Sequence, residues 1–143
     1  MKLKIAWIGR TKDASIAALS EEYVKRIGRY AQAEPLELRS EPALLELVEK
    51  TRPVFVLLDI HGKQLSSEEL AEFLVVQQER GTKQLLFAVG PADGFSEAAQ
   101  HAANSRISLG KLTLPHELAR VVLLEQLYRA FTILAGHPYH LGH

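Results

Sequence analysis

Short apolar runs alternate with amphipathic helical patterns from one end of the chain to the other. Five of these runs predict β-strands, at residues 3–8, 36–38, 54–59, 84–89 and 106–109. The third and fourth are almost continuously apolar, which is typical of parallel strands that helices cover on both faces. The alternation therefore predicts an α/β fold, with one domain over residues 1–143 built on a parallel sheet.

Apolar residues at helical spacing lie between these strands. Helices are predicted at 13–30, at 42–50 and from Ser66 to about Arg80. The run Ser66-Ser67-Glu68-Glu69 has the form of a capping box, in which a hydroxyl and a carboxylate satisfy free amides of the first turn. Ser96 is placed to cap a further short helix.

The last helix is predicted from near Pro115 to Gly136 and carries two apolar rows. This is more apolar surface than one face of a sheet needs. Two interpretations are open: the helix is wedged between the sheet and neighbouring helices of its own chain, or its surplus surface forms a contact between two identical subunits. The rows consist of Leu123, Leu127, Phe131 and Leu134, and of Leu118, Val122 and Ile133.

Composition and charge narrow the possible partners. Seventeen basic residues balance seventeen acidic ones, so no net positive field draws the chain onto nucleic acid, and any RNA contact must be local. The absence of cysteine excludes disulfides, thiolate metal sites and cysteine nucleophiles. No apolar stretch reaches the roughly 20 residues of a membrane span, and the first nine residues indicate a strand rather than a signal peptide. We therefore expect a cytoplasmic protein with no membrane partner.

Glycine-bearing turns follow two of the buried strands. The first strand-to-helix turn, residues 9–13, lacks the three glycines of a dinucleotide-binding fingerprint. In contrast, Gly90-Pro91-Ala92-Asp93-Gly94 follows a central strand, and Gly62 lies just beyond Asp59 at the end of another. Ligands of open α/β sheets bind outside the carboxyl ends of strands, so both turns suit a ligand that approaches the backbone. Taken alone, each segment is more typical of a plain tight turn, with Asp59 as a turn former.

The segment 109–116 joins the last strand to the last helix. It is apolar without strand periodicity, which indicates that it lines either the core or an apolar ligand surface. The helix macrodipole disfavours a cation at His116, so we expect a neutral imidazole that caps the helix by a hydrogen bond. Further on, the tail carries His137, His140 and His143 with no carboxylate nearby, and we expect no metal site there.

Several short motifs, taken together, resemble the ribosomal RNA large subunit methyltransferase H family. The resemblance covers essentially the whole chain, and its most specific part is the block from Thr-Leu-Pro-His to Tyr-Arg-Ala followed by the Pro-Tyr-His tail. In chain order the motifs are Leu57-Leu58-Asp59-x-x-Gly62-Lys63, Gly90-x-x-Asp93-Gly94, Leu112-Thr113-Leu114-Pro115-His116, Arg120-Val121, Glu125-Gln126-Leu127-Tyr128-Arg129-Ala130 and Pro138-Tyr139-His140.

This resemblance implies a parallel-sheet SPOUT methyltransferase fold with a C-terminal trefoil knot, assembled as a homodimer. It further implies transfer of a methyl group from S-adenosyl-L-methionine to N3 of a pseudouridine in large-subunit (23S) ribosomal RNA. Arg129 and His140 match positions that the family uses as catalytic residues at the methyl-transfer site. The positions that match its cofactor contacts are Leu58, Gly90, Leu109, Gly110, Lys111, Leu112, Thr113 and Leu114.

The expected chemistry is direct transfer without a metal, because a sulfonium methyl group is already activated. The target N3 carries a proton, and His140 is the candidate acceptor because its unperturbed pKa lies near neutrality. The neutral net charge favours the assembled ribosome or large subunit over naked RNA as substrate. We expect the tail to become ordered only against RNA or a second subunit.

Two departures from the family pattern keep other functions open. Pro91 stands where many relatives have a second glycine, which removes a backbone donor, although we expect the turn to survive. Leu141 stands where many relatives have a basic residue. The alternative is a catalytically inactive, ribosome-associated binding protein of the same fold. A flavodoxin-like nucleotide-binding module is a third possibility, which the lack of a phosphate-binding loop disfavours.

Overall fold

The computed structural model describes residues 1–141, with the backbone alone for His140. Its strands are β1 (Lys2–Ile8), β2 (Gln32–Leu38), β3 (Val54–Gln64), β4 (Gln84–Val89) and β5 (Ser105–Ser108). They form one parallel sheet in the order β2-β1-β4-β3-β5. The predicted parallel α/β sheet is confirmed, and the two most apolar strands, β3 and β4, lie inside it.

Residues 1–141 also contain five helices and a C-terminal 3-10 helix (Pro138–His140). The helices are α1 (Ala14–Ile27), α2 (Glu41–Thr51), α3 (Ser67–Glu79), α4 (Glu97–Ala102) and α5 (His116–Ala135). One face of the sheet packs against α1, α3 and α5, and the other against α2 and α4. None of these described helices is long and apolar enough to cross a membrane.

The predicted capping box at the start of α3 is confirmed. The Ser66 hydroxyl oxygen accepts a hydrogen bond from the Glu69 amide at 3.0 Å, and the Glu69 carboxylate accepts one from the Ser66 amide at 2.9 Å. These bonds lower the pKa of Glu69. Ser96 likewise caps α4, through a bond from the Ala99 amide at 3.4 Å.

The predicted cap of α5 is wrong. Pro115 occupies the N-cap position and no side chain caps the helix. His116 is already the first helical residue, whereas a capping side chain has to stand one position earlier to reach the free amides. The imidazole instead lines a cleft at the carboxyl edge of the sheet.

The inner row of α5 is buried within its own chain. Leu123, Leu127 and Phe131 belong to the core between the sheet, α1 and α3, as the first interpretation of this helix proposed. Apolar surface remains uncovered near the two ends of the helix, where Leu118 is 40% exposed and Leu134 is 39% exposed.

The chain beyond α5 folds back onto that helix. The Tyr139 ring lies edge-on to the Tyr128 ring, with centroids 4.6 Å apart, and the Tyr139 hydroxyl donates to the Glu125 carboxylate at 3.3 Å. The expectation that the tail packs only against RNA or a second subunit is therefore wrong as far as Tyr139. The side chain of His140 and residues 142–143 lie outside the described residues.

Candidate active site

A cleft of about 890 Å³ opens at the carboxyl edge of the sheet. All strands are parallel, so the segments that follow them meet at this edge. The walls come from residues 58–61 of β3, the turn 89–95 after β4, and residues 108–116 after β5 apart from Lys111. The turn at 90–94 and the loop at 109–114 therefore share one cleft.

The structure brings together nearly all of the residues expected to contact a cofactor. Lys111 is the exception, because its side chain is exposed and does not line the cleft. The residues that do line it are Leu58, Gly90, Leu109, Gly110, Leu112, Thr113 and Leu114. Sequence reasoning did not identify Ile60, His61, Phe95 and Gln100, which also line it.

An irregular stretch inside β3 makes the first wall. Leu58 and Lys63 both pair with Ile107 of β5, so residues 59–62 leave the ladder and turn outward. Gly62 closes this excursion against the β5 backbone. A Cβ at that position would lie 2.8 Å from both the nitrogen and the carbonyl carbon of Ile107. Only glycine fits there, so the shape of this wall depends on one residue.

Asp59 is the turn former that the sequence indicated, and it also lines the cleft. One carboxylate oxygen accepts from the His61 amide at 3.0 Å and the other from the Arg106 guanidinium at 3.4 Å. The same guanidinium nitrogen donates to the Gln100 side chain at 3.2 Å, which links the wall to α4. Within the described part of the chain, no three His, Asp or Glu side chains gather in a way that could hold a metal ion.

The turn after β4 survives the proline. The Gly94 amide donates to the Pro91 carbonyl at 2.9 Å and closes the turn, as expected. The ring of Phe95 packs directly over Gly90, and a Cβ at position 90 would lie 2.9 Å from that ring. The glycine therefore lets an aromatic side chain lie against the backbone at the centre of the cleft.

The third wall begins with a locally stabilised loop. The Ser108 hydroxyl donates to the Gly110 carbonyl at 2.8 Å and accepts from the Gly110 amide at 3.1 Å. Gly110 has φ of +134°, a conformation that side-chain-bearing residues rarely adopt. Leu112 then stands 85% exposed at the cleft. Its apolar surface is therefore open to any ligand in the cleft.

A buried arginine supports the neighbouring strand end. Arg120 of α5 is fully buried and donates to the Thr11 hydroxyl at 2.9 Å and to the carbonyls of Ile8 and Gly9 at 3.1 and 3.3 Å. Its guanidinium carbon lies 5.4 Å from the centre of the Trp7 ring. Burial lowers the pKa of Arg120. The side chain thus fixes the start of the β1–α1 loop to α5.

Glu117 holds the rest of that loop. Its carboxylate accepts from the amides of Lys12 and Asp13, at 3.0 and 3.2 Å. The opposite side of the same helical turn places His116 and Ala119 in the cleft. The first turns of α5 therefore form a wall between the cleft and the β1–α1 loop.

Arg129 does not lie at the cleft of its own chain. Ala119 is the last α5 residue that lines the cleft, and ten further residues correspond to about 15 Å along a helix. The Arg129 Nε donates to both oxygens of Glu125, at 3.1 and 3.3 Å, and this bond raises the pKa of Arg129. One chain therefore keeps Arg129 apart from the residues expected to contact the cofactor.

Comparisons with known proteins agree over the whole chain. A family model described as "Predicted SPOUT methyltransferase" matches residues 1–140. The chain is 55% identical to the Ribosomal RNA large subunit methyltransferase H of Koribacter versatilis, over all of both chains. It is 41% identical to the protein of the same name from Geotalea daltonii, over 98% of this chain and 99% of that one.

Solved structures share the fold at much lower identity. The SpoU methyltransferase AviRb from Streptomyces viridochromogenes has a TM-score of 0.57 at 14% identity, over 94% of this chain and 60% of that chain. AviRb in complex with the cofactor AdoMet has a TM-score of 0.54 at 15% identity, over 88% and 56%. This chain thus spans less than two thirds of the AviRb chain, and the likeness shows the fold alone.

Proposed function

Since this chain belongs to the ribosomal RNA large subunit methyltransferase H family of SPOUT methyltransferases, we propose that it methylates large-subunit ribosomal RNA. In detail, we propose methyl transfer from S-adenosyl-L-methionine to N3 of a pseudouridine in 23S ribosomal RNA. The observation that carries this proposal is the single cleft that the turn at 90–94 and the loop at 109–114 form together.

The cleft fits an adenosyl group in size and chemistry. Its volume of about 890 Å³ falls within the usual range for small-molecule sites. Leucine side chains supply apolar surface for a purine, while Gly90 and Gly110 leave backbone groups open to polar parts of a ligand. We propose as cofactor contacts Leu58, Gly90, Leu109, Gly110, Lys111, Leu112, Thr113 and Leu114, with Lys111 acting through its main chain.

The proposed chemistry needs little from the protein beyond placement. S-adenosyl-L-methionine, when bound, supplies the activated methyl group, and the cleft residues hold it in line with the attacking nitrogen. His140 accepts the proton that N3 loses, because an imidazole titrates near neutral pH. Arg129 holds a phosphate or the edge of the pyrimidine. No metal takes part.

We propose that the active protein is a homodimer. Arg129 lies about 15 Å along α5 from the last cleft residue, so it serves a methyl-transfer site more readily in a second chain than in its own. Leu112, Leu118 and, on α1, Leu19 are exposed apolar side chains that a second copy would cover. Two identical chains related by a two-fold axis would make two such composite sites.

Two further features belong to the proposal. A C-terminal trefoil knot is consistent with the way residues 108–116 share a cleft with the turns after β3 and β4.

The substrate is the large subunit or the assembled ribosome, because a chain with no net charge gains little affinity from phosphates alone. A cytoplasmic location follows from that substrate.

Methyl transfer onto ribosomal particles tests the proposed function. Large subunits or ribosomes that lack the modification are incubated with the protein and S-adenosyl-L-methionine, and the 23S RNA is digested and weighed. We expect a mass gain of one methyl group on a pseudouridine-containing fragment. Cofactor binding in a calorimetric titration without any methyl transfer would favour an inactive member of the fold, and absence of both would contradict the proposal.

Complementation between two variants tests the composite site. We expect His140→Ala to lower single-turnover methylation by about 100-fold with cofactor affinity unchanged, because only proton acceptance is lost. Gly90→Val is expected to be equally inactive, because its side chain would displace Phe95 into the cleft. In a mixed dimer one site keeps both an intact cleft and an intact tail, so mixing the inactive variants restores activity. A mixture that stays inactive while exchanging subunits would exclude a site shared between chains.

A further inference from the structure

We infer that Glu125 is a positioning residue of the methyl-transfer site, one carboxylate that orients the Arg129 guanidinium and anchors the 3-10 helix carrying His140. This inference rests on the proposed roles of Arg129 and His140, and it assigns a function to a residue that contacts neither cofactor nor RNA in the proposed mechanism.

The Glu125 carboxylate collects donors from three different side chains. Arg129 Nε donates to both of its oxygens, at 3.1 and 3.3 Å. The Gln126 amide nitrogen donates to Oε1 at 3.0 Å, and the Tyr139 hydroxyl donates to Oε2 at 3.3 Å. The Glu125 side chain is only 20% exposed. A half-buried carboxylate with both oxygens engaged has one favourable orientation.

The Glu125 carboxylate binds the Arg129 guanidinium through Nε, on the side away from the two Nη groups. Within the described residues, its hydrogen bonds use Nε alone, and no partner binds Nη1 or Nη2. Two Nη groups form the fork with which arginine binds phosphate or a base edge in a bidentate manner. By fixing Nε, Glu125 therefore determines where this fork points.

The same carboxylate anchors the tail. Tyr139 donates to Glu125, packs edge-on against Tyr128 at 4.6 Å, and lies under the Arg129 guanidinium at 5.2 Å. Burial, with further contributions from Tyr23 and Glu125, raises the pKa of Tyr139, so the hydroxyl keeps its proton and remains a donor. His140 is the next residue of the same 3-10 helix. Its backbone position thus depends on the contact between Tyr139 and Glu125.

A second helix fixes the carboxylate in turn. The Ser67 hydroxyl, in the first turn of α3, donates to the Gln126 side-chain oxygen at 2.6 Å. That bond leaves the Gln126 amide nitrogen directed at Glu125. The arrangement therefore ties α3, α5 and the tail together around one acidic side chain.

A plain helical ion pair does not have this form. Arg26 and Glu22 on α1 are also four residues apart, with an Nε–Oε1 distance of 2.9 Å, yet within residues 1–141 no hydrogen bond joins Glu22 to the tail or to another helix. Exposed pairs of that kind contribute little. The Glu22 pair supplies a matched control for the Glu125 pair.

The inference is tested by comparing the methylation rates of two single variants with the rate of the double variant. Glu125→Gln keeps the size of the side chain but removes the charge and one acceptor oxygen. We expect it to lower the single-turnover rate by about 10- to 100-fold, as a displaced catalytic group does, with cofactor affinity nearly unchanged and the melting temperature lowered by only a few degrees. Arg129→Gln should have a similar effect, and the loss in the double variant should be smaller than the product of the two single losses, because part of the effect of Glu125→Gln acts through Arg129. Glu22→Gln should keep the wild-type rate.

Independent effects would overturn the inference. If the losses from Glu125→Gln and Arg129→Gln multiply in the double variant and Tyr139→Phe keeps the wild-type rate, Glu125 acts neither through Arg129 nor through the tail. If Arg129→Gln is slow but Glu125→Gln and Tyr139→Phe keep the wild-type rate, the positioning role fails while the proposed function stands. If wild-type protein transfers no methyl group at all, the proposed function itself has failed. Tyr139→Phe keeps the ring and removes only the hydroxyl, so it tests the anchor should Glu125→Gln not fold.

Discussion

Gly62→Ala is expected to lower the melting temperature by about 10 °C and the affinity for S-adenosyl-L-methionine by about 100-fold. The new Cβ would lie 2.8 Å from the backbone nitrogen and carbonyl carbon of Ile107. Those atoms belong to the ladder between β3 and β5 and cannot rotate away as a side chain can. Relief requires the two strands to separate, which costs about 3 kcal/mol and displaces residues 59–62 at the cleft.

Gly81→Ala is the matched control for this prediction. Gly81 has φ of +73°, and a Cβ there would meet no atom within 4 Å, so the substitution adds backbone strain without a clash. It should cost about 1 kcal/mol and leave cofactor affinity unchanged. Thermal melts followed by circular dichroism and calorimetric titrations measure both quantities. Wild-type cofactor affinity in Gly62→Ala would show that the β3 excursion is not part of the cofactor site.

The elements themselves follow from local patterns. Buried parallel strands such as β4 are continuous apolar runs, and helix starts such as the capping box at Ser66 depend on residues three positions apart. Both signals are contained within a short window of sequence. The end of β3 is different, because it runs to Gln64 only by pairing again with β5 some forty residues later. No local pattern predicts that pairing.

The cleft could be predicted in outline for a similar reason. Loops at the carboxyl edge of the sheet can be recognised by glycines that follow buried strands, and by an apolar segment that lacks the alternation of a strand. Parallel strands bring these loops together. Phe95 was missed, although its place directly after the glycine turn was a usable signal. The predicted role of His116 was wrong because α5 begins one residue earlier than a capping histidine requires. Pro115 occupies the cap position, and the His116 side chain lines the cleft instead.

The distance between Arg129 and the cofactor loop could not be predicted from the motifs. The sequence places Arg129 and the cofactor loop in one family pattern, yet α5 separates them along its axis. A helix presents different neighbours at its two ends: the first turns of α5 wall the cleft, and its later turns hold Glu125 and Arg129 against the tail. The family pattern contains both groups, whereas a single chain keeps them apart along α5, and for this reason we propose a site shared between two chains.

The burial of Arg120 could not be predicted from the local sequence. Arg120 stands between Ala119 and Val121 in an apolar stretch, where an arginine is ordinarily placed at the surface. The guanidinium can be buried because the carbonyls at the end of β1 accept its hydrogen bonds. The partners lie more than a hundred residues away, at positions 8 to 11, so nothing in the local sequence points to them.

For Arg120→Ala we expect a loss of about 4 kcal/mol in the free energy of unfolding and a fall of about 14 °C in melting temperature. The substitution removes the donor to Thr11 and to the carbonyls of Ile8 and Gly9, and it leaves a cavity against Trp7. Removal of a desolvated charge, whose buried Nε has no partner among the described residues, offsets part of this loss.

Arg120→Met separates the cavity from the hydrogen bonds. Methionine fills most of the volume but donates nothing, so we expect a loss of about 2 kcal/mol, half that of the alanine variant. In both variants the amides of Lys12 and Asp13 should exchange hydrogen faster, because their loop loses one of its two attachments to α5 while Glu117 retains the other. Chemical denaturation and hydrogen exchange measure these effects. An alanine variant within 1 kcal/mol of wild type would mean that the cost of burying the guanidinium cancels its bonds to the β1–α1 loop.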